Sequence, residues 1–222
     1  MRQRSRQINS YEELNIWSAF TDLMSNTFMI AILFLLLAII KSTIAQITLD
    51  KHTGNLPTSA PPIIVIEDNE AYRFASGSAE IPPSMIAYIK NKIVPEIDRN
   101  TKLYKINVVE LIGHTDGQVN GGGTSNLDLN LEKVAHAKES VNNLQSGSNA
   151  DLGLMRALSV VRLLQDIQTQ TGRLKELKFR AYSAAQLILP NGDFATTSRQ
   201  ADASRRRIEI RFTRLGEVTK VK

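Results

Sequence analysis

The sequence predicts an α+β protein in which a single N-terminal transmembrane helix is followed by a domain of helices packed on one mixed sheet. Two observations carry this. One apolar stretch of membrane strength lies near the N-terminus, at residues 28–40, and beyond residue 62 short β-branched runs alternate with amphipathic helical segments. A chain of 222 residues holds one ordinary domain plus an appendage. The division is an N-terminal segment (1–20), a membrane helix (21–40), a linker, dimerisation or plug segment (41–62), a domain (63–214) and a basic tail (215–222).

Residues 28–40 contain no polar side chain, yet they fall short of the about 20 residues that a helix needs to cross the hydrocarbon core. Growth past Lys41 adds a charge, so the span extends backward to Thr21 and takes in Asn26, Ser25 and Asp22. On a helix, Ser18, Asp22, Ser25, Asn26 and Met29 follow i, i+4, i+7, i+8, i+11 spacing and share one face. A carboxylate in the bilayer costs about 2.5 kcal/mol or more, so Asp22 reads as an ion-translocating site lined by Ser18, Ser25 and Asn26. Three other readings stay open. A signal peptide ending at Thr43-Ile44-Ala45 would exceed the usual ~15 to 30 residues and carry Glu12 and Glu13 in its basic region. A plain anchor would leave Asp22 in the headgroup layer near Trp17. A buried helix of a soluble domain would need a second apolar segment of comparable strength, and the sequence has none. Arg2, Arg4 and Arg6 before the span, against Lys41 and Lys51 after it, favour a cytoplasmic N-terminus and a domain across the membrane.

Residues 41–62, with Gly54, Asn55, Pro57, Pro61 and Pro62, read as a linker. Their first half, with Ile44, Ile47 and Leu49, extends the membrane helix or pairs with a second copy. Residues 63–66 suit a buried strand, with residues 71–74 as its partner before the turn at Ser76-Gly77-Ser78. Pro82-Pro83 opens a helix whose apolar face is Met85, Ile86, Ile89, Ile93 and Ile97. Residues 105–112 alternate as a strand that stops at Gly113. Residues 118–147 interrupt the pattern as an insertion, with a glycine triplet at 121–123 and a helix over 126–144. The triplet is not a phosphate loop, since no Gly-Lys-Ser/Thr follows. A second amphipathic helix covers 152–170 and is closed by Gly172. Strands at 177–182 and 207–213 complete the sheet, the latter with Ile208, Ile210 and Phe212 inward and Glu209 and Arg211 outward.

The net charge of +5 lies wholly in residues 199–222. So local an excess reads as a solvated basic strand and tail, and no nucleic-acid partner is expected. The sequence contains no cysteine, which excludes disulfides and Cys-based zinc or nucleophile sites. His52, His114 and His136 lack ligand spacing, and no nucleophile motif accompanies His114 and Asp116. Neither a metal, a cofactor nor an enzymatic activity is expected.

Gly113-His114-Thr115-Asp116 ends a strand with a compact polar cluster. Together with Asn149-Ala150-Asp151-Leu152-Gly153-Leu154-Met155-Arg156-Ala157, Arg205-Arg206-Arg207-Ile208-Glu209-Ile210 and Phe74-Ala75-Ser76-Gly77-Ser78-Ala79-Glu80, it resembles the OmpA C-terminal, peptidoglycan-binding domain. The resemblance spans 63–213 and implies an α/β sandwich of that type. It also implies that Asp116 and Arg156 hold the ammonium and carboxylate of diaminopimelate in the peptidoglycan stem peptide. Thr115, Asn149 and Leu152 then complete the pocket, and Arg206 adds a second cation. One cation and one anion held close together suit a zwitterion, and guanidinium matches a carboxylate with two parallel hydrogen bonds. Gly153 stands where that family has Ser and Arg205 where it has Asn, changes expected to weaken helix capping or a loop contact. About 30 residues are inserted between Asp116 and Asn149, enough to cover part of the site. The other reading of Arg156 is a salt bridge within the fold.

Trp17-Ser18-Ala19-Phe20-Thr21-Asp22-Leu23-Met24-Ser25 resembles the membrane signature of the flagellar stator subunit MotB and its relatives, and its Asp-Leu-Met-Ser form is similar to the B subunit of the Zorya anti-phage system. That likeness implies a peptidoglycan-anchored stator subunit of an ion-driven, proton-type rotary motor in the bacterial inner membrane. It implies a homodimer inside a pentameric ring of a multi-span partner of the MotA or ZorA kind. A flagellar stator, or a plain OmpA- or Pal-like tether without ion transport, are the other readings.

Overall fold

The apolar stretch forms helix α1 (Arg4–Thr53, 50 residues) in the computed structural model, which describes residues 4–53, 57, 59–121 and 123–216. Neither glycine nor proline occurs before Gly54, so nothing in the sequence interrupts the backbone ladder. Within α1, Trp17–Gln46 is long and apolar enough to cross a membrane. The hydroxyls of Thr21, Thr27 and Thr43 donate to the carbonyls of Trp17, Leu23 and Ile39 at 2.8, 2.7 and 2.9 Å. Such bonds satisfy hydroxyls where water is absent. The helix therefore starts well before residue 21 and continues to Thr53, so the first half of the expected linker is helical. Gly54, Asn55 and part of the stretch that follows lie outside the described residues.

Residues 1–55 and 56–222 form separate units. In the second, strand β1 (Ile64–Glu67) leads to helix α2 (Pro83–Tyr88), which continues through a π-helical turn (Ile89–Ile93) into α3 (Val94–Tyr104). Then follow β2 (Val108–His114), α4 (Leu127–Ala135), α5 (Asn149–Thr171), β3 (Lys178–Ala185) and β4 (Arg207–Thr213). The sheet order is β1-β4-β2-β3, with β2 parallel to β3 and the other pairs antiparallel. The mixed sheet with helices on it is the α+β architecture that the sequence predicts.

Register explains the core. Ile66, Ile208, Gly113 and Ser183 form one row across the sheet, and Ile64, Ile210, Leu111 and Ala181 form the next. These residues share one face, because strand side chains alternate. Helices cover that face with Met85, Ile89, Ile93 and Ile97 from 83–104 and with Met155, Leu158, Val161 and Leu164 from α5, all buried. Each such side chain contributes about 1.5–3 kcal/mol on burial. Helix α5 starts at Ser148, whose hydroxyl accepts from Asp151 N at 3.2 Å, and ends at Gly172 in the left-handed region (φ 67°).

Four expectations change. Residues 71–74 form no strand: the Asn69 side chain captures the amides of Ala71 and Tyr72, and β1 pairs with β4 instead. The helix expected over 126–144 stops at Ala135, because Ala137 turns left-handed (φ 61°) and Ser140 caps a short 3-10 turn. The insertion nonetheless belongs to the core, since Leu127, Val134 and Leu144 are buried in it. Strands β2 and β3 run on to His114 and Ala185, where the backbone amide of Thr115 still donates to Ala185 O at 2.8 Å. Finally, Glu209 points to the outer face, as expected, but is buried there under the segment 186–206, to which Arg207 bonds through Leu189 O at 3.2 Å.

Candidate functional site

Thr115, Asp116, Asn149, Leu152, Arg156 and Arg206, each expected at the site, line one cleft of about 330 Å³. The turn after β2 delivers Thr115 and Asp116, both buried. Asn149 opens α5, and Leu152 and Arg156 follow at i+3 and i+7, so all three share the helix face turned to that strand end. Asn149 Nδ2 donates to Gln118 O at 2.7 Å and Asp116 O at 3.4 Å, which ties the turn to the helix. Arg206 comes from the turn before β4.

Asp116 is held from three sides. Its Oδ2 accepts from Arg206 Nη1 at 2.7 Å and from Asp202 N at 3.1 Å, while Oδ1, among the described residues, accepts only the Gln118 amide at 3.2 Å. Arg206 also donates Nε to Asp68 Oδ2, and Asp68 Oδ1 accepts from Arg73 Nε at 3.0 Å. Burial works against the Arg206 charge, but the hydrogen bonds it donates to Asp68 and Asp116 outweigh it and raise the pKa. The expected second cation is thus already shared between two carboxylates.

Arg156 makes no ion pair among the described residues, so the internal salt bridge does not form. Its Nε donates to Ser78 O at 2.9 Å and its Nη2 to Ala75 O at 3.1 Å, and the guanidinium lies 5.1 Å from the centre of the Phe74 ring. Nη1 has no partner among the described residues. Burial pushes the Arg156 pKa down to about 10, with Asp68 opposing and Arg206 assisting, so the group stays charged at neutral pH. The Thr115 hydroxyl is buried without a hydrogen-bond partner among the described residues.

Two of the three departures from the resembled family, Gly153 and Arg205, have a structural account beside the cleft. Gly153 lies inside α5 and has nothing to do with capping: a Cβ there would stand 2.4 Å from Ser183 Oγ and 2.9 Å from Gly113 O. Conversely, a Cβ on Gly113 would stand 1.9 Å from Gly153 O, so two glycines let helix and strand backbones touch beside the cleft. Arg205 is buried and donates to Gln186 O at 2.6 Å, which makes a loop contact where a weaker one was expected.

His114 sits behind the cleft on the outer sheet face, with Nε2 3.3 Å from Glu209 Oε1 and Arg207 beside it. Burial and Arg207 lower its pKa against the opposing pull of Glu209. Glu209 accepts from Arg207 and Arg211, and those bonds depress its pKa despite burial.

Sequence reasoning missed Asp68 and Arg73. The amide of Asp68 donates to Arg206 O at 3.1 Å, continuing the β1–β4 pairing, and only that pairing brings its carboxylate to the cleft. The insertion contributes its first residues, Gln118, Val119 and Asn120, to the cleft wall, with Asn120 Nδ2 bonded to Ser146 Oγ at 2.7 Å. In the other unit, Ser18, Asp22, Ser25 and Asn26 lie on an unbroken helical stretch with exposed side chains, so their spacing places them on one face.

No family model matches the chain, and no curated protein matches it in sequence. Among solved structures it is similar to a MotB-like protein from Desulfovibrio vulgaris (16% identity, 69% of this chain and 75% of that one, TM-score 0.39). It is also similar to the periplasmic domain of Helicobacter pylori MotB (18%, 70% and 78%, TM-score 0.41). A third likeness is the cell wall anchor of the type VI secretion system from Pseudomonas aeruginosa (19%, 67% and 78%, TM-score 0.34).

Proposed function

We propose that this chain is the peptidoglycan-anchored stator subunit of an ion-driven rotary motor, a non-enzymatic, single-pass protein of the bacterial inner membrane with a cytoplasmic N-terminus and a periplasmic domain. The observation that carries the anchor is the meeting of Asp116 and Arg156 in one cleft, a carboxylate and a buried guanidinium each with a bonding position unfilled among the described residues. A diaminopimelate side chain presents the complementary pair. Its ammonium goes to Asp116 Oδ1 and its carboxylate to Arg156 Nη1, bonds strengthened by charge on both partners. Thr115 offers an unused hydroxyl, Leu152 an apolar wall, and Asn149 holds the rim that shapes the turn. Arg206 fixes Asp116 in place.

The motor half rests on Asp22 in a membrane-length helix. Protonation neutralises it and changes which surroundings its helix face tolerates, and deprotonation restores a charge that needs a polar partner. Two copies inside a ring of five multi-span partners of the MotA or ZorA kind would supply those surroundings. The Asp-Leu-Met-Ser form favours the Zorya anti-phage system over a flagellar stator, which would share the mechanism. A plain tether would leave the polar stripe without a purpose.

The test is sedimentation of the full chain, in detergent, with isolated peptidoglycan. Binding that free diaminopimelate displaces and that Asp116→Ala removes supports the anchor. Binding unaffected by both overturns it.

A further inference from the structure

Arg206 stands between two carboxylates, Asp68 and Asp116, whose side chains are 9% and 7% exposed against its own 20%. These three formal charges sum to one negative, which balances the Arg156 guanidinium in the same cleft. Were Asp68 uncharged, Arg206 and Asp116 would close a one-to-one pair, and the cleft would keep the unbalanced positive charge of Arg156, which opposes an incoming ammonium. Arg73 also touches Asp68, but at 51% exposed it is screened by water and changes this balance little. Burial makes the inner three charges act on one another more strongly than surface pairs do.

We propose that Asp68 is a positioning residue that determines specificity: by sharing and counterbalancing the Arg206 guanidinium, it keeps Asp116 competent to select a ligand carrying a free primary ammonium. This rests on the reading of the cleft as a stem-peptide site, and assigns the ammonium selectivity to a residue outside the motifs that carry the resemblance. Asp68 lines the cleft but is assigned no bond to the ligand. It acts through the guanidinium it shares.

The experiment uses the full chain in lipid nanodiscs and two fluorescent disaccharide-tetrapeptides, one with the free amine of diaminopimelate and one with that amine acetylated. The quantity read is the ratio of the two affinities. The unaltered chain prefers the free amine, and Asp68→Asn reduces that preference about tenfold, the scale of one hydrogen bond to a charged group. Asp68→Glu retains it, which separates charge from packing. Asp68→Asn combined with Arg206→Gln regains the preference, because the neutralising partner is gone; a merely structural role predicts a further loss. Arg206→Gln alone reads the same charge balance without touching Asp68, and the preference rises. A preference unchanged in Asp68→Asn, or lost in Arg206→Gln, overturns the assignment while leaving the stem-peptide reading intact. An unaltered chain indifferent to acetylation removes both.

Discussion

Arg156 gives two of its nitrogens to the carbonyls of Ser78 and Ala75 and leaves a third without a partner among the described residues, so one side chain closes a turn and lines the cleft. Arg156→Ala is therefore expected to lose peptidoglycan binding and also about 1–3 kcal/mol of stability, since the Ser78 carbonyl loses this donor while Ala75 O keeps the Ser78 amide at 3.1 Å. Arg156→Lys keeps the charge but not the fork and falls between. Urea denaturation beside sedimentation reads both effects, and an alanine variant of unchanged stability would leave Arg156 with a ligand role alone. Gly113→Ala is expected to be worse than either, because its Cβ meets backbone and helix α5 has to move. The residues of the cleft were legible in the sequence where they stand in contiguous motifs, as Thr115-Asp116 and Asn149 to Arg156 do. Asp68 was not, because its place depends on which strand β1 pairs with, and nothing local to residues 63–68 encodes that.

Helix α5 is the element that aligns the site, and its start is fixed by Ser148 accepting from Asp151 N while Asp151 Oδ2 accepts from Gly147 N at 2.9 Å. Ser148→Ala is expected to cost about 1 kcal/mol and to loosen Asn149 at the cleft rim. Strand β4 brings a second test through its outer face, where His114 meets Glu209, Arg207 and Arg211. The His114 pKa lies below its ordinary 6.5 in the folded domain. On acidification the unfolded chain thus takes up that proton first, and stability present above pH 6.5 is lost as pH falls toward the folded value. Glu209 is depressed below its ordinary 4.5, so the stability from its arginine bonds is present above that value and is lost at still lower pH. Urea midpoints should therefore be flat from pH 8 to about 6.5 and decline in two limbs, and His114→Gln should flatten the upper limb only. A decline unchanged in that variant would place the upper limb elsewhere. At this scale the sequence was read well where periodicity and caps agree, as in α5 and β4. It misled at residues 71–74 and 136–144, where an Asn69 side chain and a left-handed Ala137 decide the path.

The whole molecule joins a helix long and apolar enough to cross a membrane to a domain with a polar cleft, and the sequence draws Asp22 into that helix because the uninterrupted apolar run is too short to span alone. What the sequence left unsaid is how far α1 runs, since continuation through Lys41 to Thr53 follows from an unbroken helical backbone and not from hydropathy. If two copies associate through the polar stripe, single cysteines at Ser18, Ser25 and Met29 should cross-link more readily than those at Leu23, Ile30 and Leu37. The chain contains no cysteine of its own, so the pattern reads directly. An even pattern around the helix rejects the stripe as an interface. Asp22→Asn then separates motor from tether. It keeps size and polarity while removing the titratable charge, so insertion, dimerisation and peptidoglycan binding should persist and ion passage should stop. The measurement is phage resistance, or swimming, in cells expressing the chain with its partner genes, alongside protein level, membrane fraction and peptidoglycan sedimentation. Asp22→Glu restores the charge on an arm one methylene longer, and partial activity there would mark a geometrically constrained ion site. Full activity of Asp22→Asn at normal expression would leave a peptidoglycan tether whose membrane carboxylate moves no ions.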